Sequence, residues 1–228
     1  MGSGTLMERL TIVLLTYNRY DYAVATIKST LDNVKFDGEL CVHIADDGSG
    51  NEYVQGLKNV IGGYSHIHCL SASNSDRQGY GANYNLAMQT VHTYSDFILP
   101  LEDDWTLDRE LNASIITDAL KRKKFGCVRM GYLGYTQQLC GCMELINGYN
   151  YFLIDEHSPE PHIFAGHPRI ETKEWARTVG PWPEKLDPNL TEFTVAHYKN
   201  SRRGVAWPID LIPPRGNLFS HIGAVRAR

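Results

Sequence analysis

Phe97-Ile98-Leu99-Pro100-Leu101-Glu102-Asp103-Asp104 is a short, largely apolar run that ends in three carboxylates. It reads as a buried strand with its chemistry at the C-terminal end. Two upstream runs repeat the pattern. Leu10–Leu15 leads into Thr16-Tyr17-Asn18, and Leu40–Ala45 leads into Asp46-Asp47-Gly48-Ser49. Ile67–Leu70 and Cys127–Leu133 read as further strands. Between them lie helical spacings: Tyr20, Val24, Ile27, Leu31, then Tyr84, Ala87, Met88, Val91, with Leu107, Leu111 and Ile115 opening another. Strands alternating with helices predict an α/β chain with a Rossmann-like, mostly parallel central sheet flanked by helices. Ligands of such sheets bind outside the carboxyl ends of the strands, where these polar clusters converge on one rim. The second half is less regular, rich in Gly, Pro and aromatics. It has one short helix near Thr172–Val179, closed by Gly180, and reads as the same domain continuing.

The bulk properties narrow the function classes. The 228 residues are 43% hydrophobic and 21% charged, which excludes collagen-like and mostly disordered chains. No apolar run approaches the roughly 20 residues of a membrane span. The net charge of −4 argues against bulk nucleic-acid binding. It divides unevenly: residues 199–228 carry +5 and residues 1–198 carry −9. The five cysteines include no CxxC pair, so they read as structural thiols of a reducing, cytoplasmic setting. Residues 1–6 read as a leader without a secretion signal, ahead of one domain over 7–228.

Glu102-Asp103-Asp104 has two readings. A hard divalent cation, Mg²⁺ or Mn²⁺, would relieve the repulsion among adjacent carboxylates. Otherwise the triplet is a solvated acidic turn capping the helix at 107. Asp46-Asp47-Gly48-Ser49 is either a turn or a set of acceptors for ribose and base, beside a Tyr17 ring on which a base can stack. A dinucleotide fingerprint is missing, because Thr16-Tyr17-Asn18-Arg19 contains no glycine and Gly79-Tyr80-Gly81 lacks the third. No P-loop is present either.

Taken in order, Thr16-Tyr17-Asn18-Arg19, Asp46-Asp47-Gly48-Ser49, Gly79 with Asn85, and Glu102-Asp103-Asp104 resemble the successive signatures of family 2 glycosyltransferases with the GT-A fold. The resemblance covers residues 8–105 and continues more weakly through Gly180-Pro181-Trp182-Pro183-Glu184 and Glu192. It implies an inverting transferase using a nucleotide-sugar donor, a UDP-sugar first among them, with Mn²⁺ or Mg²⁺. Residues 7–105 would be the nucleotide-sugar half, and residues 106–228 the acceptor half with its basic tail. Thr16, Tyr17, Asn18, Arg19, Asp46, Asp47, Arg77, Asn85 and Asp103 would hold the donor. Asp104 would be the principal metal ligand, with Glu102 and His221 beside it; a satisfied core histidine is the alternative for His221, which stands among apolar neighbours. Two departures stand out: Glu102 replaces the usual first Asp, and the usual Glu-Asp pair reads Glu192-Phe193.

An inverting displacement needs a base for the acceptor hydroxyl and a cation for the leaving diphosphate. Glu192 is the base expected from the resemblance, with Asp187 in reserve; a helix-start role is the alternative for Glu192. Arg215, Arg226 or Arg228 would neutralise the diphosphate if the basic tail crosses the donor site. His167 and Trp182 are candidates for the acceptor side, with core packing as the alternative. The acceptor stays open among a glycan, a lipid-linked sugar, a protein side chain and a modified nucleobase. Two other classes compete: a sugar-nucleotide or glycan-binding module without turnover, and a sugar-1-phosphate nucleotidyltransferase, whose Gly-rich loop is missing.

Overall fold

The computed structural model describes residues 7–74, 76–131, 137–164, 166–212 and 217–223. The first half runs β1 (Arg9–Thr16), α1 (Tyr20–Asn33), β2 (Val34–Lys35), β3 (Glu39–Asp46), α2 (Asn51–Ile61), β4 (Cys69–Asn74), α3 (Tyr80–Val91) and β5 (Phe97–Glu102). The second half adds β6 (Trp105–Leu107), β7 (Leu111–Asn112), α4 (Ala113–Leu120), β8 (Cys127–Arg129), β9 (Gly141–Ile146), β10 (Tyr149–Ile154), β11 (Arg169–Thr172), α5 (Lys173–Val179), α6 (Pro188–Ala196), β12 (Val205–Pro208) and β13 (Phe219–His221).

Among the described residues one sheet holds nine strands in the order β4-β3-β1-β5-β11-β8-β12-β10-β9. Its first four strands are parallel, so the ends of β1, β3 and β5 share one rim. Antiparallel β11 then joins the two halves into one α/β domain. Alternation along β1 explains the two cores. Leu10, Ile12 and Leu14 pack with Ala23, Ile27 and Leu31 of α1 on one face. Val13 and Leu15 pack with Tyr84, Ala87, Met88 and Val91 of α3 on the other.

The strands expected at 10–15, 40–45 and 97–101 and the helices at 20–31 and 84–91 are present, the strand expected over 67–70 begins only at Cys69 and runs on to Asn74, and the helix expected from Leu107 is absent. Leu107 ends β6 and Leu111 begins β7, and α4 starts only at Ala113, where the Asn112 side chain accepts from Ser114 N. Long-range pairing overrides local periodicity here: β6 pairs with β13, and β7 with β2. The strand expected over 127–133 stops at Arg129, because Met130 N and Gly131 N turn to the Pro168 carbonyl. All five cysteines are free thiols. No helix among the described residues is long and apolar enough to cross a membrane.

Candidate active site

β1 and β5 are adjacent and parallel, so Thr16 stands beside the carboxylates that follow Leu101. Alternation separates those carboxylates. Asp103 turns toward β1, where it accepts from Thr16 Oγ1 at 3.0 Å and from Tyr17 N at 3.4 Å. Burial pushes its pKa up to about 7, and the Arg19 guanidinium opposes that rise. Arg19 Nη1 bridges Asp103 Oδ1 at 3.1 Å and Asp104 Oδ2 at 2.8 Å. Thr16 also bonds Tyr53, whose burial raises its hydroxyl to about 12.

Asp104 is the acid that fits a cation. Its Oδ2 lies 3.3 Å from His221 Nε2. Its Oδ1 is buried and has no hydrogen-bond partner among the described residues. The β6–β13 ladder sets Trp105 opposite His221, and Ile222 N donates to the Asp104 carbonyl at 2.8 Å. A Cβ on Gly223 would stand 2.1 Å from Asp104 Oδ2, so only glycine lets the strap lie this close. A free carboxylate oxygen beside an imidazole nitrogen suits Mn²⁺ or Mg²⁺. Among the described residues no three His, Cys, Asp or Glu side chains form a ready ligand set. Donor phosphates and water would therefore have to complete the shell.

Glu102 is engaged elsewhere. It accepts from Tyr80 Oη at 2.7 Å and bonds the side chain of Glu192. Burial first, and the charge of Glu192 second, push its carboxyl well above the ordinary range. The expected metal role of Glu102 thus gives way to a carboxyl pair, because alternation turns it toward α3 while Asp103 faces β1. Gly166 closes over the pair: a Cβ there would lie 1.8 Å from Glu192 Oε1 and 3.1 Å from Glu102 Oε1. Neither Tyr80 nor Gly166 was marked by spacing as a site residue.

The remaining candidates separate into loop fasteners, packing residues and pocket walls. Asp46 accepts from Gly48 N and Ser49 N at 3.2 and 2.8 Å, while Asp47 accepts from Gln78 N and Gly79 N at 2.8 and 3.1 Å. Asn18 N is held by Ser49 Oγ at 2.8 Å. Arg77 lies over the Tyr17 ring, 4.3 Å from its centroid. Asn85 is not at the donor rim; it clamps Trp182 through both backbone groups, at 2.9 and 2.8 Å, and also bonds Glu184. Trp182 is only 2% exposed and stacks on Tyr84 at 4.1 Å, so it has no free face for a sugar. His167 packs on Trp105, and burial lowers its pKa to about 3. Asp187 caps α6 by accepting from Asn189 N at 2.9 Å, and it is exposed. Arg215, Arg226 and Arg228 lie outside the described residues. A groove of about 920 Å³ occupies the opposite, N-terminal ends of the strands, lined by Arg9, Phe97, Lys121 and Lys173.

The model of the family described as "Glycosyl transferase family 2" matches residues 11–167. The chain belongs to that family. No curated protein matches its sequence. Its fold is similar to that of S. aureus TarS, with a TM-score of 0.57 and 18% identity over 88% of this chain and 35% of that one. TarS 1–349 in complex with UDP-GlcNAc gives 0.58 and 16%, over 97% and 62%. The mannosyltransferase PcManGT from Pyrobaculum calidifontis, in complex with GDP-Man and Mn²⁺, gives 0.54 and 14%, over 93% and 59%. This family 2 chain therefore has the GT-A fold, and spans between 35% and 62% of the length of those proteins.

Proposed function

We propose that this family 2 chain transfers a sugar from a nucleoside diphosphate donor to an acceptor hydroxyl, with inversion, aided by a divalent cation. The observation that carries this reading is the free Asp104 Oδ1 beside His221, next to the Glu102–Glu192 pair. UDP-GlcNAc and GDP-Man in the similar structures support a nucleotide-sugar, and a UDP-sugar is the first donor to test.

The chain's own groups divide the work. Thr16, Tyr17, Asp47 and Asp103 form the nucleoside side of the rim. Arg19 keeps Nε and Nη2 without partners among the described residues, and so offers donors to the diphosphate. Asp104 and His221 would hold Mn²⁺ or Mg²⁺, which when bound supplies Lewis-acid stabilisation of the leaving group. Glu192 takes the acceptor proton, and Glu102, itself held by Tyr80, keeps its carboxylate in place. The acceptor oxygen bonds to the anomeric carbon. The bond from that carbon to the diphosphate oxygen breaks, and its electron pair leaves with the nucleoside diphosphate. A single carboxylate base at the strand rim supports a single displacement.

The test is release of nucleoside diphosphate from UDP-sugars and GDP-mannose with Mn²⁺. Glu192→Gln should slow release by about 10²–10⁴ and keep the donor-induced melting shift. Asp104→Ala should lose the Mn²⁺-dependent part of that shift. Full turnover in Glu192→Gln would remove it as the base.

A further inference from the structure

α6 carries more than Glu192. Consecutive helix residues diverge by about 100°, and the neighbour, Phe193, opens its ring to solvent at 49% exposure. Leu190, one turn earlier, is 50% exposed. His197, one turn later, packs on Phe193 with ring centroids 4.2 Å apart. His162 completes the cluster, 6.1 Å from Phe193 and 6.4 Å from His197.

This surface is continuous with the base through two elements. Glu192 and Phe193 are adjacent on α6. Gly166, four positions after His162, stands against the Glu192 carboxylate. Residues 156–163, the stretch that carries His162, are fastened firmly. Buried Arg129 donates to the His162 and Ile163 carbonyls at 3.0 and 2.7 Å. Arg202 donates to the Glu156, Ser158 and Glu160 carbonyls at 2.9, 2.7 and 3.1 Å. Two guanidiniums thus fix the stretch that carries the half-buried His162 ring, which is the preorganisation a binding surface needs.

The chemistry of the cluster names its occupant. His197 Nδ1 donates to the Phe193 carbonyl at 2.6 Å, which leaves Nε2 to pair with a hydroxyl. Burial lowers the His162 pKa, so that ring is neutral at neutral pH. An exposed aromatic face, ring nitrogens that can pair with a hydroxyl, and the Glu160 carboxylate beside His162 suit an uncharged, hydroxylated ring rather than an anionic group.

We infer that Leu190, Phe193, His197 and His162 form the acceptor platform, and that the acceptor presents a neutral pyranose whose ring stacks on Phe193. This rests on Glu192 being the base of a glycosyl transfer. The test is an array of neutral pyranose oligosaccharides probed with the full chain in UDP and Mn²⁺. Wild type should bind at least one class, Phe193→Ala should weaken that binding about tenfold, and Phe193→Trp should restore it. Equal binding by wild type and Phe193→Ala overturns the platform, and so does no binding by wild type. The melting shift with UDP and Mn²⁺, read in parallel, separates failure of the donor reading from failure of the platform. Phe193 is half exposed, so its variants should keep the wild-type melting temperature.

Discussion

Gly166→Ala isolates the position of the base from its chemistry. Gly166 does not have a left-handed φ, so alanine brings no backbone strain. Its new methyl would stand 1.8 Å from Glu192 Oε1, where ordinary contact begins near 3.4 Å. The carboxylate must therefore retreat by about 1.6 Å. The obstructed atom is the end of a flexible side chain, and Glu102 Oε1 at 3.1 Å needs to give only slightly. The stability cost should stay below about 1 kcal/mol.

Catalysis is less tolerant. Misplacing a reacting group by an ångström costs about 10²-fold, or about 2.7 kcal/mol of barrier. The assay is Mn²⁺-dependent release of UDP from a UDP-sugar, measured as kcat and KM together. We expect kcat to fall about 10²-fold, with donor KM and melting temperature near wild type, because Asp103, Asp104 and Arg19 do not touch Gly166. A stable Gly166→Ala enzyme with kcat within twofold of wild type would refute the reasoning. Glu192 would then be neither close to the reaction nor dependent on its present position.

Two further outcomes follow from buried polar groups. Asn85→Ala removes both backbone bonds to Trp182, so it should cost about 2–4 kcal/mol and lower Tm by roughly 5–10 °C, leaving donor KM unchanged; a changed KM at unchanged Tm would return Asn85 to the donor site. Buried His43, between Ser71 and Ser73, has its pKa lowered by burial from 6.5 to about 4. The unfolded chain therefore binds the extra proton first: this stability is whole above pH 6.5 and is lost as pH falls toward 4, by about 3 kcal/mol in all. Urea midpoints across that range should flatten in His43→Gln relative to wild type, and parallel curves would exclude His43 as the source.

The donor rim was legible because parallel strands bring their ends together, whatever the loops do. Thr16, Asp103 and Asp104 needed only the strand positions and the alternation of side chains. Loop contacts were not legible. Asp47 and Asn85 resemble each other as polar residues at turns, yet one fastens the β4–α3 loop and the other clamps a segment 97 residues away. Aromatics were equally ambiguous: Trp182 and Phe193 differ in burial, not in any local pattern, and the buried one was the acceptor candidate. The β9–β10 hairpin was readable and missed. Asn147-Gly148 takes positive φ at both residues, 53° and 85°, as a two-residue turn of this composition should.

The error at Leu107 and the placement of His221 beside Asp104 have one physical origin. Apolar residues at 107, 111 and 115 are compatible with a helix as long as no strand lies beside them. β13 supplies that strand from more than 100 residues downstream, pairing Phe219 with Leu107 and His221 with Trp105. Backbone hydrogen bonding then holds 105–107 extended, and the same register carries the imidazole to 3.3 Å from Asp104. A helix begun at 107 would leave β13 without its ladder and His221 without a reason to be at the rim. The local periodicity was therefore wrong for the same reason that His221 reaches Asp104: residues 105–107 must stay extended to receive the strand that brings His221.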